Sequence, residues 1–343
     1  MSGHEVSAVV VAYSDPPAAV RAIRSLLEQT RPPAEILVVD NDPGARTAAA
    51  LRGEALGDTV RVVAEGQNLG YTRGVDRGAA AAGGDWLFFL NPDAVAEPDC
   101  LRLLAEAGAE EDVAIVGAQV LLPDGRVNAG DNPINLAGLS WSGGYGQPRE
   151  DGPPRDTAGV SGAALMVRRE AFAELGGLCP DFFLYQDDAD LCWRTRLSGR
   201  RVRYCPRAAV THDFEFERGD QKWFYLERNR HWALLSNLAP PTLVLLAPLL
   251  LVTELAVTAR AATEGWLGAK ARAWGSLLRN AGRVMRWRRA VQAQRRRPDV
   301  QVLARFKGGM DTDLIESGLL ARANPLLEAH RRVVLAVLGR LDG

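Results

Sequence analysis

Cysteine and histidine are scarce in this chain, and a recognisable secretory leader is missing. The 343 residues include four cysteines and four histidines, and no two cysteines form a C-x-x-C pair. Unpaired cysteines of this kind predict free thiols in a reducing compartment. The start, M-S-G-H-E-V-S, has no charged n-region and leads directly into a predicted strand, so we expect no signal peptide.

Two common nucleotide-binding motifs are also missing. After the first predicted strand stands A-Y-S-D-P-P in place of G-x-G-x-x-G, and G-x-x-x-x-G-K-[ST] does not occur. These absences disfavour a dinucleotide-dependent dehydrogenase and a P-loop enzyme. The formal net charge is -1, so no global field favours nucleic acid, and we expect no nucleic-acid partner.

The charges are nevertheless unevenly distributed. Gly265–Pro298 contains ten Lys/Arg and no Asp/Glu, which leaves -11 (-1 minus +10) for the rest of the chain. The preceding stretch, Trp232–Thr253, has no formally charged residue but contains three prolines, at positions 240, 241 and 248. It could span a membrane, which takes ~20 apolar residues, or lie in the membrane interface. The basic stretch with its tryptophans suits an anionic membrane surface, while nucleic-acid binding and a plain solvated helix stay open.

Strand and helix patterns alternate over the first 117 residues. Continuous apolar runs predict strands buried on both faces, and periodic segments between them predict helices, which together give a doubly wound α/β sheet. The predicted strands are 6–12, 35–39, 59–63, 85–90 and 113–117, and the helices are 18–29, 45–56, 69–82 and 98–107. A further short strand is predicted at 201–205. Residues 119–157 are predicted to form a long loop, a lid or a binding loop. We divide the chain into a catalytic domain, 1–238, and a helical extension, 239–343, in which 298–343 has no assigned role.

Ligands of such sheets bind beyond the carboxyl ends of the strands. The polar residues at those ends are Ser14-Asp15, Asp40-Asn41-Asp42 and Asn91-Pro92-Asp93. A further acidic stretch, Leu184–Arg196, reads L-Y-Q-D-D-A-D-L-C-W-R-T-R and looks like the first turn of a helix. Carboxylates there are favoured by the helix dipole, but several together are costly unless a cation or a reacting proton uses them. The stretch is either a catalytic helix start or an acidic N-cap on a solvated face.

Four segments together resemble glycosyltransferase family 2, whose members are inverting enzymes with a GT-A fold, a Rossmann-like, doubly wound mixed sheet. They are V-V-V-A-Y-S with V-V-D-N, G-Q-N-L-G-Y-T-R-G, F-F-L-N-P-D-A and Y-Q-D-D-A-D-L-C-W-R. The likeness covers about residues 5–230 and is greatest to bacterial rhamnosyl- and galactofuranosyl-transferase-like members that build surface polysaccharides. The C-terminal third resembles, less specifically, their membrane-associated helices.

The resemblance implies roles for the acidic helix and for the residues after the fourth strand. Asp188 would be the general base for the acceptor hydroxyl, and Asp187 and Asp190 would orient the acceptor or support the helix. Gly162 would let the acceptor or the sugar approach the backbone closely. Asn91-Pro92-Asp93 stands where the family has D-x-D, so Asp93 matches a ligand of a divalent cation, while Asn91 departs from the acidic first position. His212 is a further candidate ligand, and the expected cation is Mg²⁺ or Mn²⁺.

The resemblance also implies the substrates. The donor would be a nucleotide sugar, UDP- or dTDP-linked, and the acceptor a saccharide, in particular one linked to a polyprenyl diphosphate. Seven residues would contact the nucleotide: Ala12, Tyr13, Ser14, Asp40, Asn68, Gly70 and Arg73. We expect a cytoplasmic enzyme, peripheral to or anchored in the inner face of the plasma membrane. Two alternatives stay open, a sugar-nucleotide nucleotidyltransferase and a non-catalytic scaffold of the same fold at the membrane surface.

Overall fold

The computed structural model describes residues 5–212, 220–310 and 318–341, apart from the side chains of 318–321. These residues form two compact units, which are described separately. The first unit holds residues 5–132, 142–195 and 200–212, and the second holds 133–141, 196–199, 220–310 and 318–341. The predicted functional boundary between residues 238 and 239 stays a prediction.

The first unit is built on one large sheet with helices between its strands. The strands of this unit are β1 Val6–Ala12, β2 Glu35–Asp40, β3 Val60–Ala64, β4 Trp86–Leu90, β5 Ala94–Ala96, β6 Val113–Leu121, β7 Val127–Ala129, β8 Asp131–Asn132, β9 Arg155–Asp156, β10 Gly159–Val160, β11 Ala164–Arg168 and β12 Arg201–His212. β8 and β10 pair with each other in a separate two-stranded sheet. Its helices are α1 Pro16–Leu27, α2 Arg46–Arg52, α3 Gly70–Ala81, α4 Cys100–Ala107, α5 Arg169–Glu174 and α6 Asp187–Leu197, the last two residues of which belong to the second unit.

The strand order is β3-β2-β1-β4-β11-β6-β12-β5. β1 pairs in parallel with β2 and with β4, whereas β11 runs antiparallel to both β4 and β6. The sheet is therefore mixed, and the predicted doubly wound α/β class is confirmed. The alternation of strand and helix positions the carboxyl ends of β1, β2 and β4 at one edge of the sheet, since parallel strands end on the same side.

The β1 sequence, V-S-A-V-V-V-A, is apolar at almost every position because the strand is covered on both faces. Ala8 and Val10 belong to one buried cluster, together with Ile23 of α1. Val9 and Val11 belong to a second buried cluster, which also includes Val75 of α3. Successive side chains of a strand point to opposite faces, so each face supplies its own core.

Two strands are longer than predicted, and the predicted loop contains short strands. β6 continues to Leu121, and β12 continues past the predicted end at Cys205 as far as His212. Pro206 interrupts the strand pattern because proline has no N–H to donate; the structure absorbs it at a register shift between Cys205 and Ala209. β7, β8 and β9 lie inside the segment predicted as a loop.

The second unit consists mainly of helices. They are α7 Asp220–Asn237, α8 Pro240–Thr263, α9 Leu267–Arg279, α10 Ala281–Ala293, α11 Asp299–Leu303 and α12 Gly318–Leu341. Among the described residues, α8 alone is long and apolar enough to cross a membrane, with a mean hydropathy of 2.1 over its best window, 11% of which is buried. The four cysteines, all in the first unit, are buried free thiols, as predicted.

Candidate active site

The sheet topology brings three separated stretches of sequence to the end of β4. Leu90, the last residue of β4, pairs with Ala164 of β11, and the Asn91 N–H donates to the Ala163 carbonyl oxygen at 2.9 Å. His212, the last residue of β12, pairs with Ala94 at the start of β5. The Asn91-Pro92-Asp93 turn therefore lies beside the segment before β11 and beside the end of β12.

Asn91, Asp93 and His212, all predicted metal ligands, form one polar group there. His212 Nε2 lies 2.8 Å from Asp93 Oδ1 and 3.4 Å from Asn91 Nδ2. Two ligands on adjacent octahedral positions of one ion, each about 2.1 Å from it, lie about 3 Å apart. The carboxylate and the imidazole at this separation fit a divalent cation such as Mn²⁺ or Mg²⁺, whereas Asn91 presents its amide nitrogen to His212 and would need to turn Oδ1 toward the ion to bind it.

The first turn of α6 carries Asp187 and Asp188, which we call the acid pair. Asp188 Oδ2 accepts a hydrogen bond from the Gly162 N–H at 2.9 Å, and Asp188 Oδ1 accepts one from the Ala189 N–H at 2.7 Å. A Cβ added to Gly162 would lie 3.2 Å from the Asp188 Cβ, which is tighter than normal packing. The absence of a side chain at Gly162 thus lets its backbone hold the Asp188 carboxylate.

Burial and mutual repulsion raise the proton affinity of the acid pair. Burial, with the Asp188 charge as the second cause, raises the pKa of Asp187 to about 8. Burial also raises the pKa of Asp188, although the hydrogen bonds from Gly162 and Ala189 oppose that shift. Within residues 5–212, 220–310 and 318–341, no cationic side chain forms an ion pair with either carboxylate. Asp187 therefore has the higher proton affinity of the two, and Asp188, whose carboxylate accepts two backbone N–H groups, is the better candidate for the base.

Asp190, the third acid of this helix, points into the protein. Its carboxylate accepts a hydrogen bond from Arg194 Nε at 2.7 Å, and the two side chains are 0% and 1% exposed. Arg194 also donates to the carbonyl oxygens of Leu175 and Gly177, each at 3.0 Å. In this structure Asp190 is therefore placed to brace the helix against the preceding loop, and it does not face the cleft.

The predicted nucleotide contacts differ in how accessible they are. At the end of β1, Ala12 is buried, whereas Tyr13 and Ser14 are exposed, and Ser14 has a φ of 64°. Asp40 at the end of β2 is fully buried, and its carboxylate oxygens accept the N–H groups of Asp42 at 3.0 Å and Ala48 at 2.8 Å. Its carboxylate therefore orders the loop into α2, and its contact with the nucleotide stays a prediction.

The remaining predicted nucleotide residues surround the start of α3. Asn68 Oδ1 accepts the Gly70 N–H at 2.8 Å, and Arg73 Nε donates to the Pro180 carbonyl oxygen at 3.1 Å. Gly70 has a φ of 78°, and a Cβ there would lie 2.4 Å from Phe183 Cδ2. Glycine is required at this position, because the chain must turn in the left-handed region against an aromatic ring.

Tyr71, which no sequence pattern singled out, donates its hydroxyl to the Gly162 carbonyl oxygen at 3.1 Å. Its backbone N–H donates to the Phe183 carbonyl oxygen at 2.7 Å, so the start of α3 is tied to the loop before α6. Burial, followed by the nearby charges of Asp187, Asp188 and Asp93, raises the Tyr71 pKa. Tyr71 lies inside the G-Q-N-L-G-Y-T-R motif, but nothing in the sequence connects it to Gly162.

The loop that leads into α6 is strained. Three of its residues, Phe183, Tyr185 and Gln186, have φ values of 66°, 65° and 65°. Each such conformation costs a non-glycine residue on the order of 1 kcal/mol and persists only where the surroundings enforce it. The hydrogen bonds from α3 to the Phe183 carbonyl oxygen are part of that enforcement, and they place the acid pair beside Gly162.

Comparison with known proteins identifies the family of this chain. The model of the family described as Glycosyl transferase family 2 matches residues 7–176. An N-acetylglucosaminyl-diphospho-decaprenol L-rhamnosyltransferase of Mycobacterium tuberculosis is 31% identical over 232 residues, which are 60% of this chain and 74% of the relative. The chain belongs to glycosyltransferase family 2. It is thus a glycosyltransferase, and the predicted resemblance is confirmed.

Solved structures support the fold of this family 2 glycosyltransferase. GalNAc-T7 with UDP, GalNAc and Mn²⁺ has a TM-score of 0.57 at 15% identity, covering 68% of this chain and 48% of that chain. The mannosyltransferase PcManGT of Pyrobaculum calidifontis with GDP-Man and Mn²⁺ has a TM-score of 0.50 at 20% identity, covering 85% and 86%. At such identities the likeness concerns the fold alone, and the predicted GT-A fold is confirmed.

Proposed function

We propose that this enzyme transfers a sugar, with inversion, from a UDP- or dTDP-linked donor to a lipid-linked saccharide in cell-envelope polysaccharide or glycan synthesis. The main support is the convergence at one edge of the sheet of the acid pair, the Gly162 backbone and the Asp93–His212 group. The mycobacterial relative, whose name specifies a decaprenyl-diphosphate-linked acceptor, supports the acceptor class. The C-terminal helices would hold the enzyme at the cytoplasmic face of the plasma membrane.

Transfer requires one proton acceptor and one site for the leaving diphosphate. The acceptor oxygen attacks the anomeric carbon, the bond from that carbon to the diphosphate oxygen breaks, and the hydroxyl proton passes to Asp188. The Gly162 N–H holds Asp188 Oδ2 in place, and the Tyr71 hydroxyl holds the Gly162 carbonyl. Asp187, the neighbouring carboxyl of higher proton affinity, would orient the acceptor beside the base. A base placed in this way contributes typically ~10²–10⁴-fold to the rate.

Asp93, His212 and Asn91 would hold the divalent cation. When bound, the cation neutralises negative charge that develops on the leaving diphosphate. The Mn²⁺ in both solved relatives supports this assignment. The donor would enter beside Tyr13 and Ser14 at the end of β1, with Ala12 and Asp40 beneath it. Asn68, Gly70 and Arg73 would shape the ribose-diphosphate side.

The test is release of nucleoside diphosphate from a panel of UDP-, dTDP- and GDP-linked sugars, with Mn²⁺, with Mg²⁺ and with EDTA. We expect release from one donor that stops when EDTA is added and is restored by excess metal. A soluble saccharide acceptor should increase it. EDTA-resistant release would overturn the metal assignment. No binding of any of these nucleotides in the presence of metal would favour the scaffold alternative, and formation of a nucleotide sugar from sugar phosphate would favour the nucleotidyltransferase.

A further inference from the structure

In helix α8 of the second unit, the apolar side chains are distributed over the buried and exposed faces in an unexpected way. The face that packs against the protein includes Thr242, Leu246, Glu254 and Ala261, spaced at roughly helical intervals. The opposite face is exposed and apolar over its length. Val244, Leu251, Val252 and Leu255 are 75%, 62%, 63% and 63% exposed. A helix at a water surface normally shows the reverse arrangement, with charge outside and apolar residues inside.

Glu254 connects α8 to two neighbouring helices. Its Oε1 accepts from Lys270 Nζ of α9 at 2.6 Å and from Trp274 Nε1 at 2.8 Å. Its Oε2 accepts from the Arg230 guanidinium of α7 at 2.9 Å and lies 3.1 Å from His231 Nε2.

Glu227 completes this group, which we call the ion cluster: Glu227, Arg230, His231, Glu254 and Lys270. Glu227 bonds to Arg230 at 3.0 Å and to Lys270 at 2.5 Å. The two carboxylates of the ion cluster, Glu227 and Glu254, are thus neutralised by two permanent cations, Arg230 and Lys270. The ligand atoms of Glu227, His231 and Glu254 lie within 4.8 Å of one another, as metal ligands would. The Lys270 ammonium already contacts both carboxylates, so this trio is a salt-bridge cluster and we propose no metal there.

The position of Glu254 opposes a membrane span by α8. The midpoint of Pro240–Thr263 falls between residues 251 and 252, so Glu254 would lie about 4 Å from the bilayer centre at 1.5 Å per residue. A charged group at that depth is strongly disfavoured. A span would either separate Glu254 from its cations or carry Arg230 and Lys270 into the hydrocarbon with it. The exposed apolar face, by contrast, is free of charge from Val244 to Leu255.

The helices that follow α8 in the sequence carry exposed arginines next to exposed apolar side chains. On α10, Met285, Arg286 and Arg289 lie within about one turn and are all exposed. On α9, Leu278 and Arg279 are exposed. No acidic residue occurs between Gly265 and Pro298. Apolar groups for the acyl boundary, with arginines for anionic headgroups, are the combination that an anionic bilayer surface binds.

We infer that α8 lies in the surface of an anionic membrane, held there by the ion cluster and not crossing it, and that Val244, Leu251 and Leu255 enter the lipid. This inference rests on the proposed membrane location of the enzyme. It adds the depth and topology of the contact and names the face that makes it. It does not depend on the sugar, on the cation at Asp93 or on the base.

Topology is tested by cysteine labelling, because the native cysteines are all buried. Gln221→Cys and Ala271→Cys place an exposed thiol before and after α8. In sealed inside-out vesicles from expressing cells, a membrane-impermeant maleimide should label both thiols without detergent, and the unsubstituted chain should show only background. Labelling of one thiol only after detergent would mean that α8 spans the membrane and would overturn the inference.

The surface is tested with purified protein and vesicles of phosphatidylcholine alone or with phosphatidylglycerol. The triple variant Val244→Ser, Leu251→Ser, Leu255→Ser should bind vesicles roughly ten-fold more weakly or worse, because three exposed apolar groups no longer enter the lipid. The double variant Val62→Ser, Val95→Ser, at exposed apolar residues of the first unit, is the matched control and should bind vesicles as the wild type does. The triple variant Arg279→Gln, Arg286→Gln, Arg289→Gln should lose the preference for phosphatidylglycerol.

Binding of the triple serine variant at the wild-type level would overturn the named face. Equal binding of the wild-type protein to both lipid mixtures would overturn the anionic partner. Donor turnover with a soluble acceptor is measured in parallel without lipid. A loss confined to vesicle binding concerns this inference, whereas a loss of turnover concerns the proposed function.

Discussion

Two pairs of carboxylates in this protein lie in opposite electrostatic surroundings. In the acid pair of the first unit, Asp187 and Asp188, the Asp188 carboxylate accepts two backbone N–H groups, and no cationic side chain in the described part of the chain pairs with either carboxylate. In the second unit, Glu227 and Glu254 share Lys270 and Arg230. An acid pair left without cations keeps a high proton affinity and is available for chemistry. A pair of carboxylates that is fully neutralised by cations stabilises the packing of the helices that carry it.

The pKa shifts show the same contrast. Burial raises the Asp187 pKa to about 8 and raises that of Asp188. Burial acts on Glu254 too, but hydrogen bonds from His231, Lys270 and Trp274 outweigh it and lower the Glu254 pKa. The number of carboxylates is therefore a poor guide to function, and the charges around them decide it.

The largest effect is expected at the acid pair. Asp188→Asn removes the proposed base but keeps an oxygen that can accept the Gly162 N–H, so we expect transfer to fall by about 10²–10⁴-fold with donor binding retained. The measurement is the transfer rate together with nucleotide titration. Asp151→Asn, at an exposed loop position, is the control. A rate near that of the wild type would refute the base assignment.

The next effect concerns the ion cluster. Lys270→Met leaves two buried carboxylates with one permanent cation fewer, so we expect the free energy of unfolding to fall by about 3–5 kcal/mol. Chemical denaturation measures it. Arg272→Met removes an exposed pair with Asp220 and should change stability by less than about 1 kcal/mol. Equal effects of the two substitutions would mean that the ion cluster stabilises the protein no more than an exposed ion pair does.

Gly162→Ala should act through Asp188. The new Cβ would press on the Asp188 Cβ at 3.2 Å and displace the carboxylate by a few tenths of an ångström. We expect roughly ten-fold slower transfer, since small misplacements of reacting groups are costly, and little change in stability. Gly83→Ala, whose Cβ would meet only an ordinary contact, is the control. In an Asp188→Asn background the Gly162→Ala effect should disappear.

Tyr71→Phe removes the hydroxyl that holds the Gly162 carbonyl while keeping the ring. A hydrogen bond of this kind contributes about 0.5–1.5 kcal/mol, so transfer should slow about 2- to 12-fold. The loss should appear in kcat and leave KM for the donor unchanged, because the hydroxyl acts on the base side of the site. An effect on KM alone would place Tyr71 with the donor instead.

The last expected effect is a difference in how the free energy of unfolding depends on pH without metal. The Asp187 pKa is raised from 3.8 to about 8, so its contribution is full below pH 3.8 and is lost as pH rises through about 8. The Glu254 pKa is lowered from 4.5, so its contribution is present above pH 4.5 and is lost as pH falls further. Denaturation between pH 3 and 9 measures both.

We expect Asp187→Asn to flatten the alkaline side of that curve and Glu254→Gln the acid side, each by about 1 kcal/mol or more. The two variants are each other's control, because each should leave the opposite side of the pH curve unchanged. If both variants flattened the same side of the pH curve, the contrast between the acid pair and the Glu227–Glu254 pair would be wrong.

Much of the fold was predictable from local patterns. The apolar run Val6–Ala12 has the composition of a strand covered on both faces, and the structure places it between two buried clusters. The end of β12 was not predictable, because Pro206 breaks the local strand pattern and only pairing with β6 and β5 carries the strand on to His212. Propensity is local, whereas this strand is stabilised by partners distant in sequence.

The residue types in the sequence specify which groups the site contains: the aspartates of the acidic helix, the Asn-Pro-Asp turn after an apolar strand and the glycine-rich stretch that leads into α3. Which of these groups meet depends on the tertiary structure. The fold pairs buried Asp190 with Arg194, and it places Asp188 at the N–H and the unpredicted Tyr71 at the carbonyl oxygen of Gly162. Residue types set which chemistry is available, but distances between segments far apart in the chain depend on the packing of the whole sheet.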